Sequence, residues 1–254
     1  MRILCLGDSI MQYNDFSTYP QTGWVQEFTR FFPLSTEWLN FARNGRSSKS
    51  FIDEGRFALV LRMARNGDYA LIQFGHNDEK DDPCRHTEPG PDGSFRKNLS
   101  YFVHELRKKG VRPILLTPVA RRMFEGKIVK NTHEKYDEAI ISTALKENVP
   151  YIDLNKISRQ FLEKVGFDES RRYFMNFEKN LYTNYPDGKN DNSHLRPDGA
   201  NMISTLAAGE IKKNFMAFSD YKELAEKCMV DSENPFLQLV QDNSDIDDEY
   251  TVFA

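Results

Sequence analysis

Leu6-Gly7-Asp8-Ser9-Ile10 closes the apolar run Ile3-Leu4-Cys5-Leu6, and its reading decides the fold. A short continuous apolar run bounded by Gly and Asp reads as a buried strand that ends in a turn. Ser9 then stands just past the carboxyl end of that strand, the edge at which open α/β sheets bind ligands. A serine at this position is either capping or turn chemistry or a nucleophile. The second reading needs a base and a set of oxyanion donors from elsewhere in the chain.

Further strand patterns recur at 36–41, 69–74, 112–117 (broken by Pro118) and 151–154. Helical patterns lie between them, at 24–32, from the Asn44-Gly45-Arg46-Ser47-Ser48 turn through 57–64, at 94–109 before Gly110, and at 133–147. This alternation predicts an α/β fold with a parallel sheet covered on both faces, and right-handed crossovers limit its topology. Residues 167–193 read as irregular, polar and rich in aromatics and Asn, with helices following at 198–216 and 220–229.

A chain of 254 residues with 39% hydrophobic and 28% charged residues is globular in composition, and its net charge of −4 points to neither nucleic acid nor an anionic membrane as partner. No apolar run approaches the roughly 18 residues of a membrane span. The four apolar residues before Gly7 are too few for a signal peptide's apolar region. Cys5, Cys84 and Cys228 are odd in number and widely spaced, which argues against a disulfide framework or a zinc site and fits a reducing, cytoplasmic setting. The last 24 residues hold seven acidic residues and no Lys or Arg. The expected organisation is therefore one domain over 1–230 and an acidic C-terminal tail over 231–254, mobile or laid over the surface. The oligomeric state stays open.

Three elements meet the requirement set by Ser9. Asn44-Gly45-Arg46 follows the second strand; it is an ordinary turn or a loop whose Gly N–H points at a ligand. Phe74-Gly75-His76-Asn77-Asp78 follows the third strand. There Asn77 carries an amide donor or makes an Asx turn, and His76 is a base or a satisfied structural histidine. Asp191-Asn192-Ser193-His194 places a carboxylate three residues before a histidine. Such a carboxylate can reach the ring Nδ1–H, fix the tautomer and leave Nε2 free to take a proton from a serine; the same spacing also occurs as a helix cap.

Gly7-Asp8-Ser9, Gly45, Gly75-x-Asn77-Asp78 and Asp191-x-x-His194 occur in the order of the GDSL/SGNH hydrolases, and the chain resembles that family from residue 7 to residue 194. Gly45-Arg46-Ser47-Ser48-Lys49-Ser50-Phe51, Glu54-Gly55-Arg56 and Gln73-Phe74-Gly75-His76-Asn77-Asp78 look like its rhamnogalacturonan acetylesterase branch. Glu79-Lys80-Asp81-Asp82-Pro83 and the segment from Thr117-Pro118-Val119 to Arg121-Arg122 are similar to the bacterial members. The resemblance implies a three-layer α/β/α sandwich on a flavodoxin-like five-stranded parallel sheet. It implies a serine esterase that removes acetyl groups from pectic sugars, with an acetylated oligosaccharide as partner and no metal or cofactor. Ser9, His194 and Asp191 would be the triad. The Ser9 and Gly45 N–H groups and the Asn77 amide would form the oxyanion hole, with Asp8 and Asp78 as structural supports. Arg85, Arg121 and Arg122, in loops expected at the active edge, are candidate contacts for substrate carboxylates. The other readings are an esterase of this family acting on xylan-type sugars or small acyl esters, and a non-catalytic sugar-binding module on the same fold.

Overall fold

The computed structural model describes residues 1–241. Its strands are β1 (Arg2–Gly7), β2 (Glu37–Asn40), β3 (Tyr69–Gln73), β4 (Arg112–Leu116), a small hairpin of β5 (Phe124–Glu125) and β6 (Ile128–Val129), then β7 (Tyr151–Ile152), β8 (Phe174–Phe177) and β9 (Lys189–Leu195). The main sheet has the order β2-β1-β3-β4-β7 and is parallel throughout. That is the flavodoxin-like order, with its topological switch between β1 and β3.

Alternation along the strands sorts the core into two halves. Ile3, Cys5, Tyr69, Leu71, Ile114 and Leu116 face one side. There they meet helices α1 (Trp24–Phe28), α6 (Leu154–Val165), α8 (Pro197–Asn214), α9 (Lys222–Lys227) and α10 (Pro235–Gln241). Leu4, Leu6, Ala70, Ile72 and Leu115 face the other side, against α2 (Ser48–Asp53), α3 (Arg56–Met63), α4 (Ser94–Lys108) and α5 (Glu134–Glu147). Burial on both faces is why these strands read as continuous apolar runs. In α4, Phe95, Leu99, Phe102, Val103 and Leu106 recur at helical spacing and form its buried stripe. The Phe102 ring meets those of Phe51, Phe57 and Phe74, which brings α2, α3 and the end of β3 into one aromatic cluster.

The three-layer α/β/α sandwich and the five parallel strands match the sequence reading. Elsewhere the structure adds elements to it. Helix α6 was not among the expected elements; it starts where Asp153 accepts the Lys156 N–H at 3.0 Å and so cuts β7 to two residues. Within 167–193, after the short helix α7 (Phe167–Ser170), β8 and β9 pair antiparallel with an irregularity between Phe174 and Met175. In the acidic stretch expected as a tail from 231, α10 lays Leu237 into the core and Phe236 against the Phe161 and Tyr173 rings. The packed domain therefore runs past 230, and residues 242–254 of that stretch lie outside the described residues.

Phe102→Ala should lower the free energy of unfolding by about 3–5 kcal/mol, since a fully buried ring leaves a cavity the surrounding elements cannot close. Urea unfolding of the two proteins checks this.

Candidate active site

The site is assembled at the carboxyl edge of the sheet, on both sides of the β1/β3 switch. After β1 the chain turns sharply, with the Met11 and Gln12 N–H groups donating to the Asp8 carbonyl at 3.3 and 3.1 Å. Asp8 Oδ1 accepts the Ile10 N–H at 2.9 Å, an Asx-type bond that fixes Ser9 at the crest of the turn. Asp8 is fully buried, and its other oxygen has no partner among the described residues. Burial pushes its carboxyl up to about 7, against the opposing pull of the Ile10 N–H and the His194 ring.

Ser9 Oγ lies 2.9 Å from His194 Nε2, and His194 Nδ1 lies 2.8 Å from Asp191 Oδ2. The roles follow from the acceptor-only nature of a carboxylate. Burial alone would raise the Asp191 carboxyl; the His194 ring and the His194 and Ser193 N–H groups outweigh it and hold the group well below the ordinary carboxylate range. Asp191 is then ionised, Nδ1 donates to it, and Nε2 of the neutral ring is left to accept from the Ser9 hydroxyl. The cap-like alternative for Asp-x-x-His turns out not to be exclusive. Asp191 Oδ1 makes the local turn with the Ser193 and His194 N–H groups at 2.9 and 3.0 Å while Oδ2 takes the ring.

The loop after β2 is held from three sides. Gln12 Oε1 accepts the Asn44 N–H at 2.6 Å, and Asn40 Nδ2 donates to the Met11 carbonyl at 2.8 Å. Arg46 donates to the Asn44 carbonyl at 2.8 Å and to Glu54 Oε2 at 2.9 Å. Gly45 adopts φ +75°, a left-handed conformation that side chains resist. Among the described residues, neither the Ser9 nor the Gly45 N–H is spent on a backbone hydrogen bond. Asn77 donates one amide proton to the Arg46 carbonyl at 3.1 Å, which leaves the second. Gly75, at φ +138°, has the Pro118 ring 2.5 Å from where a Cβ would stand, so no larger residue fits before His76.

Asp78 supports this edge from beneath. Its fully buried carboxylate accepts the Ser48 N–H at 2.9 Å and hydroxyl at 2.6 Å, the Thr87 hydroxyl at 2.9 Å and the Gly75 N–H at 3.1 Å. His76 is buried against His133, with ring centroids 4.5 Å apart in an edge-to-face pair. Burial, with the His133 ring next to it, holds its imidazole well below the ordinary range. The imidazole hydrogen-bonded to Ser9 is that of His194, not of His76.

The three candidate arginines separate. Arg85 is half-exposed, pairs with Asp82 at 2.5 Å, and reaches with Nη1 to 3.9 Å from where a Gly45 Cβ would stand. Arg121 is bound to Glu79 and, at 3.2 Å, to the Thr132 hydroxyl. Arg122 differs from the expectation of a substrate contact. It is buried, and its Nε, Nη1 and Nη2 donate to Ser170, Asn192 and the Phe167 carbonyl. Gln12, Thr87, Asn176 and Asn192 take part in holding the site and were not singled out from sequence; each acts through a partner outside its own turn of chain.

A serine hydroxyl directed at a carboxylate-bound imidazole, beside unspent N–H donors, can carry acyl transfer. Residues 5–200 match the GDSL-like lipase/acylhydrolase family. The chain belongs to this family. It is 35% identical over 222 residues to the rhamnogalacturonan acetylesterase RhgT of Bacillus subtilis, covering 87% of this chain and 94% of that one. It is 36% identical over 212 residues to the probable rhamnogalacturonan acetylesterase YesY of the same organism, covering 83% and 92%. Among solved structures, YxiM of Bacillus subtilis aligns with a TM-score of 0.72 at 24% identity, over 85% of this chain and 57% of that one. A variant of Axe2, an acetyl-xylooligosaccharide esterase of Geobacillus, aligns with a TM-score of 0.58 at 16% identity, over 82% and 93%. These two structures share their fold with this chain.

The buried Asp8 gives this site a pH signature in stability. Its carboxyl titrates near 4 when unfolded, by the ordinary value, and at about 7 when folded. Between those values the folded state binds the extra proton, so stability falls as pH rises through the window. Asp8→Asn keeps an acceptor for the Ile10 N–H and removes the titration. Urea unfolding from pH 4 to 8 should show the variant losing less stability than the parent over that range, by up to about 4 kcal/mol.

Proposed function

We propose that this chain is a serine acetylesterase that removes O-acetyl groups from pectic oligosaccharides of the rhamnogalacturonan type. The observation that carries the reading is the Ser9–His194–Asp191 chain of hydrogen bonds at 2.9 and 2.8 Å beside the Gly45 loop. The near full-length similarity to RhgT supports the substrate class.

The chemistry follows from the geometry. Ser9 Oγ attacks the acetyl carbonyl carbon as its proton passes to His194 Nε2. The Ser9 and Gly45 N–H groups and the free proton of the Asn77 amide receive the oxyanion. Asp191 holds the ring and stabilises the imidazolium. His194 returns the proton to the departing sugar oxygen, leaving the acetyl group on Ser9. Water, deprotonated by the same Nε2, then attacks that ester; acetate leaves and Ser9 recovers its proton.

A pectic backbone carries galacturonate carboxylates near its acetyl groups. Arg85 is our candidate to meet one, a choice supported by its guanidinium bordering Gly45 while Asp82 engages its Nε. A guanidinium can grip a carboxylate through two parallel N–H bonds. The free thiols Cys5, Cys84 and Cys228 suit a reducing compartment, and a cytoplasmic setting with an imported oligosaccharide is part of this proposal.

Ser9→Ala should cost on the order of 10⁴–10⁶ in turnover of a small acetyl ester with the fold intact. Acetate release by purified protein with unchanged circular dichroism checks it. Arg85→Ala should reduce catalytic efficiency on acetylated galacturonate oligomers at low salt and spare a neutral acetyl ester. Equal efficiency of the parent on charged and neutral acetylated sugars would refute the pectic assignment and leave the esterase chemistry standing.

A further inference from the structure

Arg122 is costly to place where it is. Its guanidinium is buried, stacks on the Phe167 ring at 4.2 Å, and forms no ion pair with a carboxylate among the described residues. Burial of an unpaired cation is unfavourable, and an apolar side chain would satisfy the neighbouring rings. What the cation does instead is donate. Nε donates to Ser170 Oγ at 2.9 Å, Nη2 to the Phe167 carbonyl, and Nη1 to Asn192 Oδ1 at 3.3 Å. The Arg122 backbone N–H donates to the Asn192 carbonyl at 2.9 Å. From the opposite strand, Asn176 Nδ2 donates to the same Asn192 Oδ1 at 2.6 Å and to the Asp191 carbonyl at 3.2 Å.

Asn192 stands between Asp191 and Ser193-His194. This segment needs pinning for a physical reason. It lies in a two-stranded hairpin outside the main sheet, and such hairpins are marginal alone. Its residues, Lys-Asn-Asp-Asn-Ser-His-Leu, are mostly poor strand formers. Side-chain donors therefore supply the rigidity that a sheet ladder does not.

We propose that Arg122 and Asn176 are positioning residues that act through Asn192 to hold Asp191 and His194 in register with Ser9. The inference rests on the reading of these three as the hydrolytic machinery. It gives Arg122 a role in holding the base in place of contact with substrate.

The test uses the full chain and two readouts. One is kcat and KM for 4-nitrophenyl acetate. The other is the low-field proton resonance of His194 Nδ1–H, which reports the ring–carboxylate bond whether or not the protein turns anything over. Asn192→Ala removes the shared acceptor from a half-buried position and keeps the backbone bond, so it is the variant that folds. It should lower kcat by about 10- to 10²-fold with KM little changed, and broaden or shift the resonance. Asn176→Ala should do the same to a smaller degree. Adding Arg122→Met to Asn192→Ala should cost kcat less than the sum of the two single effects, since both act through one contact. Asn192→Ala with parental kcat and an unchanged resonance would overturn the inference while leaving the esterase reading intact. A perturbed resonance in a protein whose parent hydrolyses no acetyl ester would uphold the positioning role and reject the esterase reading.

Discussion

The carboxylate of Asp78 is the point on which the active edge depends. It takes hydrogen bonds from Ser48 at the start of α2, Gly75 at the end of β3 and Thr87 in the loop that follows. Tyr136 of α5 closes the same knot, its hydroxyl donating to the Asp78 and Thr87 carbonyls at 3.0 and 2.7 Å. Gly45, Asn77 and Arg85 each lie within a few residues of one of these anchors. Burial still pushes the carboxyl up to about 6 against those donors, so the knot carries an electrostatic cost in return for a fixed geometry.

The site divides into halves of different stiffness. The nucleophile and the oxyanion donors grow from β1, β2 and β3, strands in register inside a sheet buried on both faces. The base and its carboxylate come from β9, which among the described residues pairs only with β8, outside that sheet. The Ser9–His194 hydrogen bond, between residues 185 apart in the chain, joins the halves at the reacting groups. The first half is held by the core, the second by side-chain donors on Asn192 and by the Thr22 N–H, which donates to the Leu195 carbonyl at 2.9 Å. A local disturbance of the hairpin therefore changes the relay without unfolding the domain.

Much of this was legible in the chain. Strands buried on both faces leave continuous apolar runs, and helices with one buried stripe leave a period of 3.6, so β1, β3, β4 and α4 announce themselves. Strand β9 does not, because Asn, Asp, Ser and His in a row resemble a loop and only the buried Phe174–Phe177 opposite makes them a strand. Helix α10 was hidden by the acidic composition around it, although Phe236 and Leu237 are what pack. At the site, residues that fill a motif were found by their order, whereas Gln12, Thr87, Asn176 and Asn192 were not. Their partners are set by the tertiary fold, and a lone polar residue in a polar stretch gives no local sign of them. Arg122 shows the converse. Its position in a strand-end loop suggested contact with substrate, whereas its donors go to Phe167, Ser170 and Asn192, which only the tertiary fold brings to it.

The central claim is that Ser9 is a nucleophile activated by His194. Reaction with an organophosphate, followed by peptide mass spectrometry of the parent and of His194→Ala, tests it most directly, because it reports activation of the hydroxyl without any assumption about the sugar. The account predicts one phosphoryl adduct per chain, on Ser9, and its loss or severe slowing in His194→Ala. An adduct on another residue, or labelling of Ser9 at the same rate without the imidazole, would contradict it.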